Sequence, residues 1–221
     1  MYGPYSNVAT SFDLFGTLVD VDYPASPART VARELESRGV PVPTDWEEAY
    51  LERHVDAPPG AEVPLPAHVA HALSSRDVTY EPMAVRRAAI SAFDPVVETK
   101  PGAVDAVDAA REFGPVGLCS NCSVPELVSR TLIRSDLERD AFDGIVTSAG
   151  CGWRKPSAEI FAVVADQLGV DVSDLVHVGD DPRTDGGIDA AGGTAILLES
   201  PAPSSALEKL STVLERRFDE R

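Results

Sequence analysis

The chain has 221 residues, 43% of them hydrophobic, and a formal charge of −17. That length and apolar content suit a folded domain with a sizeable core and exclude a disordered chain. The charge argues against nucleic acid as a partner, because no basic stripe is present to meet a phosphate backbone.

No apolar run reaches the ~18 residues of a membrane span. The start, Met1 to Ser6, has neither a basic segment nor an apolar signal core, so secretion is not expected. Cys119, Cys122 and Cys151 are too few for a disulfide framework. The expectation is a cytoplasmic protein without a membrane partner. Lysines number three, Lys100, Lys155 and Lys209, out of 19 basic residues. A high acid load with few lysines resembles the proteins of salt-loving organisms, whose surface charge is screened by abundant salt.

Along the chain, Asn7 to Phe15 is a short apolar, β-prone run that stops at Gly16-Thr17, which reads as a buried strand and a turn. Residues 20–99 then break with the strand pattern. Ser26-Pro27 opens a helix that ends at Gly39. A second helix starts near Trp46, and two more cover Pro66 to Ser75 and Glu81 to Phe93, with Asp56 to Gly60 as a loop.

From residue 100 onwards strands and helices alternate. Helices are predicted over Gly102 to Phe113 and Pro125 to Ile133. Another spans Ser157 to Leu168, with Gly169 as its stop, and a last one Ser204 to Arg217. Strands are predicted over Pro115 to Ser120, Gly144 to Thr147, Leu175 to Val178 and Thr194 to Leu198. This alternation predicts an α/β fold, a doubly wound parallel sheet from 1–19 and 100–221, with a helical cap from 20–99 inserted after the first strand.

Four patches fall at or just past predicted strand ends: Asp13-Leu14-Phe15-Gly16-Thr17, Ser120-Asn121, Arg154-Lys155-Pro156, and Gly179-Asp180-Asp181 with Asp185. In an open parallel sheet such ends converge on one crevice. A carboxylate there, such as Asp13, can attack phosphorus or carbon and form a covalent intermediate. Ser120 and the N–H groups after it can hold phosphate oxygens. Lys155 can neutralise the nucleophile and a bound phosphate, and an oxygen-rich cluster containing Asp180 and Asp185 suits Mg2+. Cys119 and Cys122 have the C-x-x-C form, but Cys119 is expected to point from its strand into the core, without a redox role.

In this order and spacing, the four patches resemble the haloacid dehalogenase (HAD) superfamily, in which phosphatases predominate over dehalogenases, and the segment Gly152 to Phe161 resembles members with helical caps. The resemblance implies Asp13 as nucleophile and Lys155 as its catalytic partner. Thr17, Ser120 and Asn121 become substrate-binding residues. Asp13, the Phe15 carbonyl and Asp180 become Mg2+ ligands, with Asp185 orienting them from behind. The implied activity is a Mg2+-dependent phosphatase acting on a small phosphorylated metabolite.

One position departs from that pattern. The superfamily's phosphatases carry an acid two residues after the nucleophile, and Phe15 cannot move a proton. General acid-base help is worth ~10²–10⁴-fold. Haloacid dehalogenases carry an aromatic residue there but lack the acidic fourth motif. Phosphonoacetaldehyde hydrolases need a cap lysine, and none occurs between Asp20 and Thr99. A dehalogenase-like hydrolase attacking carbon, and a non-catalytic phosphate-binding or regulatory protein, remain as alternatives.

Overall fold

The computed structural model describes residues 8–198. The predicted helix at Ser204 to Arg217 lies outside them. The core is a five-stranded sheet of β1 (Ala9–Phe12), β4 (Val116–Ser120), β5 (Gly144–Thr147), β6 (Leu175–Gly179) and β7 (Thr194–Leu197), ordered β5-β4-β1-β6-β7. Every pairing in it is parallel. β1, β4 and β6 are buried along their whole length, as expected of strands covered on both faces, and they read as short apolar runs for that reason. The strand order reverses about β1, with β4 and then β5 to one side and β6 and then β7 to the other. The crevice of a doubly wound sheet opens at this switch.

Helices α5 (Ala103–Arg111), α6 (Leu127–Arg134), α7 (Ser148–Cys151), α8 (Ala158–Leu168) and α9 (Gly187–Ala191) connect the strands. α8 packs Ile160, Phe161, Val164, Ala165 and Leu168 into a buried cluster with Cys119, Val146 and Leu175. It stops at Gly169, whose φ of 71° suits the residue predicted to end it.

The inserted segment forms α1 (Pro27–Glu36), α2 (Trp46–Leu51), α3 (Leu65–Ser74) and α4 (Pro82–Ala92), which pack on one another. Their apolar stripes, among them Val31, Leu35, Trp46, Val69, Leu73 and Val85, join one continuous cluster with Leu118, Val176 and Val178 of the sheet. Trp46 and Tyr50 are in contact, with ring centroids 5.7 Å apart and planes tilted by 55°, and Trp46 Nε1 donates to the Ala28 carbonyl at 2.8 Å.

Two features of the inserted segment were absent from the sequence reading. The segment enters and leaves through a two-stranded antiparallel ribbon, β2 (Val19–Val21) against β3 (Val97–Thr99), with strands too short to show a period. The loop between α2 and α3 is stitched to the sheet layer. Arg154 N–H donates to Gly60 O, Glu62 N–H to Gly152 O and Leu65 N–H to Ser123 O, at 2.8–2.9 Å. Ser148 Oγ donates to Glu62 Oε2 at 2.6 Å while accepting the Cys122 N–H at 2.9 Å.

Candidate active site

Asp13 is the first residue past β1, and its N–H still donates to Val178 O at 2.8 Å, so the sheet edge holds its backbone. The next turn is closed by Gly16 N–H to Val19 O at 2.8 Å. Gly16 has φ +89°, and a Cβ there would lie 2.8 Å from an Asp180 carboxylate oxygen. Glycine is required by the turn and by the approach of Asp180 alike. Lys100, at the end of β3, donates from Nζ to Gly16 O at 2.5 Å and pairs with Asp20 at 3.2 Å. Its only sequence signal was the scarcity of lysine.

Lys155 is buried, with Nζ 2.9 Å from Asp13 Oδ1 and 2.6 Å from Asp185 Oδ1. Burial opposes its charge, and the carboxylates of Asp13 and Asp185 outweigh burial, raising its pKa. Asn121 frames it: Oδ1 accepts the Lys155 N–H at 2.7 Å and Nδ2 donates to Lys155 O at 3.0 Å. The Asn121 side chain, expected to bind substrate, holds the Lys155 backbone through these two bonds.

Thr17 also faces a residue of the site. Its hydroxyl is buried and donates to Asp180 Oδ1 at 3.0 Å, orienting that carboxylate.

Beneath this pair lies His177, which the sequence reading passed over as a strand residue. Its Nε2 is 3.1 Å from Asp185 Oδ1 and its Nδ1 is 2.9 Å from Ser11 Oγ. Burial, then the Lys155 charge, lowers its pKa. A neutral ring with Nε2–H facing the carboxylate and Nδ1 facing the Ser11 hydroxyl satisfies both contacts.

The other Asp185 oxygen accepts the N–H groups of Asp180 and Asp181 at 3.1 and 2.9 Å. Burial alone would raise the Asp185 pKa. The His177 hydrogen bond and the Lys155 charge overcome it and hold the group well below the usual carboxylate range. Asp181 itself caps the turn, accepting from Arg183.

Asp13, Asp180 and Asp185 each offer an oxygen within 4.8 Å of the others. Burial first, then the charges of Asp13 and Asp185, push the Asp180 pKa up. Three carboxylates against Lys155 and the more distant Lys100 leave this cluster net negative, and carboxylate oxygens are the donors a hard divalent cation takes. The residues fit such an ion, with Asp185 already committed to four donors. Ser120, the last residue of β4, has a buried Oγ without a hydrogen-bond partner among the described residues, as do Thr10 and Thr131; of the three, Ser120 is the one that ends a strand next to β1 on the Asp13 side. Phe15 is half-buried against Tyr23, ring centroids 6.3 Å apart. Cys119 and Cys122 are buried free thiols, pushed up to about 12 and about 11 by burial, which makes them inert.

A nucleophile candidate, a hydroxyl, a lysine and an acidic pair thus meet at one sheet edge in the expected order. A family model for haloacid dehalogenase-like hydrolases matches residues 9–192. The chain belongs to that family. It is 35% identical over 120 residues to pyrimidine 5'-nucleotidase YjjG of Escherichia coli, an alignment covering 53% of this chain and 52% of that protein; the match spans about half the length of each.

Among solved structures, 2-haloacid dehalogenase from Pseudomonas syringae pv. Tomato superposes with a TM-score of 0.65 at 22% identity, covering 95% of this chain and 99% of that one. A HAD family enzyme from Bacteroides thetaiotaomicron, in complex with magnesium and inorganic phosphate, gives 0.58 at 14% identity, covering 91% and 99%. At these identities the structural likenesses speak for the shared α/β fold.

Proposed function

We propose that the protein is a Mg2+-dependent phosphatase acting on a small phosphorylated metabolite, with Asp13 as the nucleophile. The observation that carries this reading is the three-carboxylate cluster braced by buried Lys155, with an unpartnered serine hydroxyl at the end of the adjacent strand. An Asp13 oxygen attacks phosphorus; the new P–O bond forms as the bond to the leaving oxygen breaks, giving an aspartyl phosphate that water then hydrolyses.

Lys155 offsets charge on Asp13 and on the transferring group. The Ser120 hydroxyl and the N–H groups after it bind phosphate oxygens. Asn121 and Thr17 act through Lys155 and Asp180. Asp13, the Phe15 carbonyl and Asp180, with Asp185 behind them, would hold Mg2+, which would supply positive charge to the phosphate oxygens.

Phe15 leaves the leaving group without a proton donor at the usual position, so we propose slow turnover that favours good leaving groups such as acyl phosphates. Residues 20–99 act as a cap, supported by their single ribbon hinge and their stitching to the loops at Ser123 and Gly152–Arg154. No helix among the described residues is long and apolar enough to cross a membrane. We propose a cytoplasmic location and a salt-adapted surface, the latter tested by melting between molar and ~0.05 M KCl, where loss of screening should lower the midpoint.

The deciding experiment is a screen of phosphate esters, acyl phosphates and 2-haloacids with Mg2+ or with EDTA. Phosphate release that needs Mg2+ and disappears in Asp13→Asn is the expected result. Halide release indifferent to EDTA would replace this reading with carbon attack. Ligand binding without turnover on any substrate would replace it with a non-catalytic role.

A further inference from the structure

Away from the carboxylates, one flank carries the opposite sign of charge. In a chain of formal charge −17, Arg38, Arg86, Arg87 and Arg130 line a single cavity of about 360 Å3, together with Met83 and Ile90. Small-molecule sites occupy ~300–1,000 Å3. The cavity lies between α1 and α4 of the inserted segment and the first turns of α6, and shares no lining residue with the site around Asp13.

Its guanidinium groups are only partly committed. Arg86 gives one terminal nitrogen to Glu126 at 2.5 Å, and Arg130 gives one to Asp94 at 3.3 Å. Asp94 is held more closely by Arg134, at 2.5 Å, so Arg130 is the loose partner of that acid. Arg38 is braced by Glu34 at 2.6 Å and Ser91 at 2.8 Å. Arg87 is exposed and has no partner among the described residues. Each guanidinium has five N–H donors in a fork that matches phosphate, and most of those on Arg86, Arg87 and Arg130 are unspent. Four cations against Glu34, Asp94 and Glu126 leave the cavity positive.

Two further features mark the wall of this cavity. Met83 is 48% exposed at the edge and Ile90 is buried at 5%, so thioether and alkyl surface lie beside the donors. Glu126, in the cavity wall, has φ +69°, one of two non-glycine residues at positive φ among those described. Strain of that kind concentrates at ligand clamps.

We propose that this cleft is a second binding site, for a small organic phosphate whose phosphate group sits among Arg86, Arg87 and Arg130 and whose apolar body lies on Met83 and Ile90. A ligand there contacts α4 and α6 together and so ties the inserted helices to the sheet layer. The site is independent of the phosphatase reading.

The test uses phenylphosphonate, a non-hydrolysable dianion with an apolar ring, in calorimetric titrations at ~0.1 M KCl and in crystal soaks, where its phosphonate is located directly. The double variant Arg87→Ala/Arg130→Ala should fold normally, because Asp94 keeps Arg134 and Arg87 leaves no acid behind; an unchanged melting midpoint checks this. Arg87→Glu alone is the second probe. Binding at the cleft should weaken about tenfold or more in both, while any binding at Ser120 persists. If the phosphatase reading fails, the wild type still shows the one equivalent that these variants remove. Isotherms unaltered by either variant, or phenylphosphonate density only outside the cleft, would overturn the proposal.

Discussion

On one side of Asp13, Lys155, Asp185 and His177 are buried and bonded to one another, with Ser11 and two backbone N–H groups completing the set. On the other side, Ser120 keeps a buried hydroxyl without a partner and Asp180 is only half-buried. The first half is a finished polar network, satisfied before any ligand arrives. The second carries unspent hydrogen-bonding capacity and uncompensated charge. The contrast teaches where stability and function separate in this molecule: a buried network loses stability when any member is removed, whereas an unsatisfied group costs stability while it is there.

Breaking the finished half should have the largest effect on stability. Asp185→Asn must present an amide NH2 either to Lys155 or to backbone N–H groups, and it leaves a buried cation short of one carboxylate. Loss of such a partner costs ~3–5 kcal/mol. Urea unfolding should show that loss even without ligand; a change under ~1 kcal/mol would mean that the network does not hold the fold together.

Completing the open half should act on turnover. Phe15→Asp returns an acid two residues after Asp13, and kcat on phosphate esters should rise toward ~10²-fold, with a modest stability cost from the lost contact with Tyr23. A folded variant that gains nothing on any ester would count against a missing proton donor as the limit on rate.

The sharpest contrast with Asp185→Asn comes from Ser120→Ala. It deletes an orphan hydroxyl, so the melting point should hold or rise slightly, while kcat/KM falls about tenfold through loss of a hydrogen bond to a charged phosphate. A large destabilisation would show that Ser120 belongs to the finished half.

The smallest effect is a pH slope. The folded His177 pKa is lowered by burial and Lys155, so below the ordinary value of about 6.5 the unfolded chain takes a proton that the folded one refuses. Stability from this group is present above that pH and is lost as pH falls toward the folded pKa, at up to ~1.4 kcal/mol per pH unit. Unfolding of wild type and His177→Gln at about pH 7 and about pH 5 should give the steeper loss in wild type; parallel losses would remove the neutral-imidazole assignment.

Local pattern alone identified the five sheet strands, the four inserted helices and the polar residues at the strand ends, because a strand buried on both faces must be apolar and a chain reversing at the sheet edge needs turn chemistry. Gly16 and Ser120 were legible for that reason, whereas Lys155 and Asp185 were singled out by the resemblance of the four patches to the HAD superfamily. Tertiary packing decided what each polar group does. Thr17 turns to Asp180 and Asn121 to the Lys155 backbone. His177 and Lys100 join the site across 166 and 84 residues of chain. The arginines of the cleft meet only when α1, α4 and α6 pack. Sequence periodicity reports which face of an element is buried, but a hydrogen bond depends on distances of about 3 Å, and only the folded chain sets those.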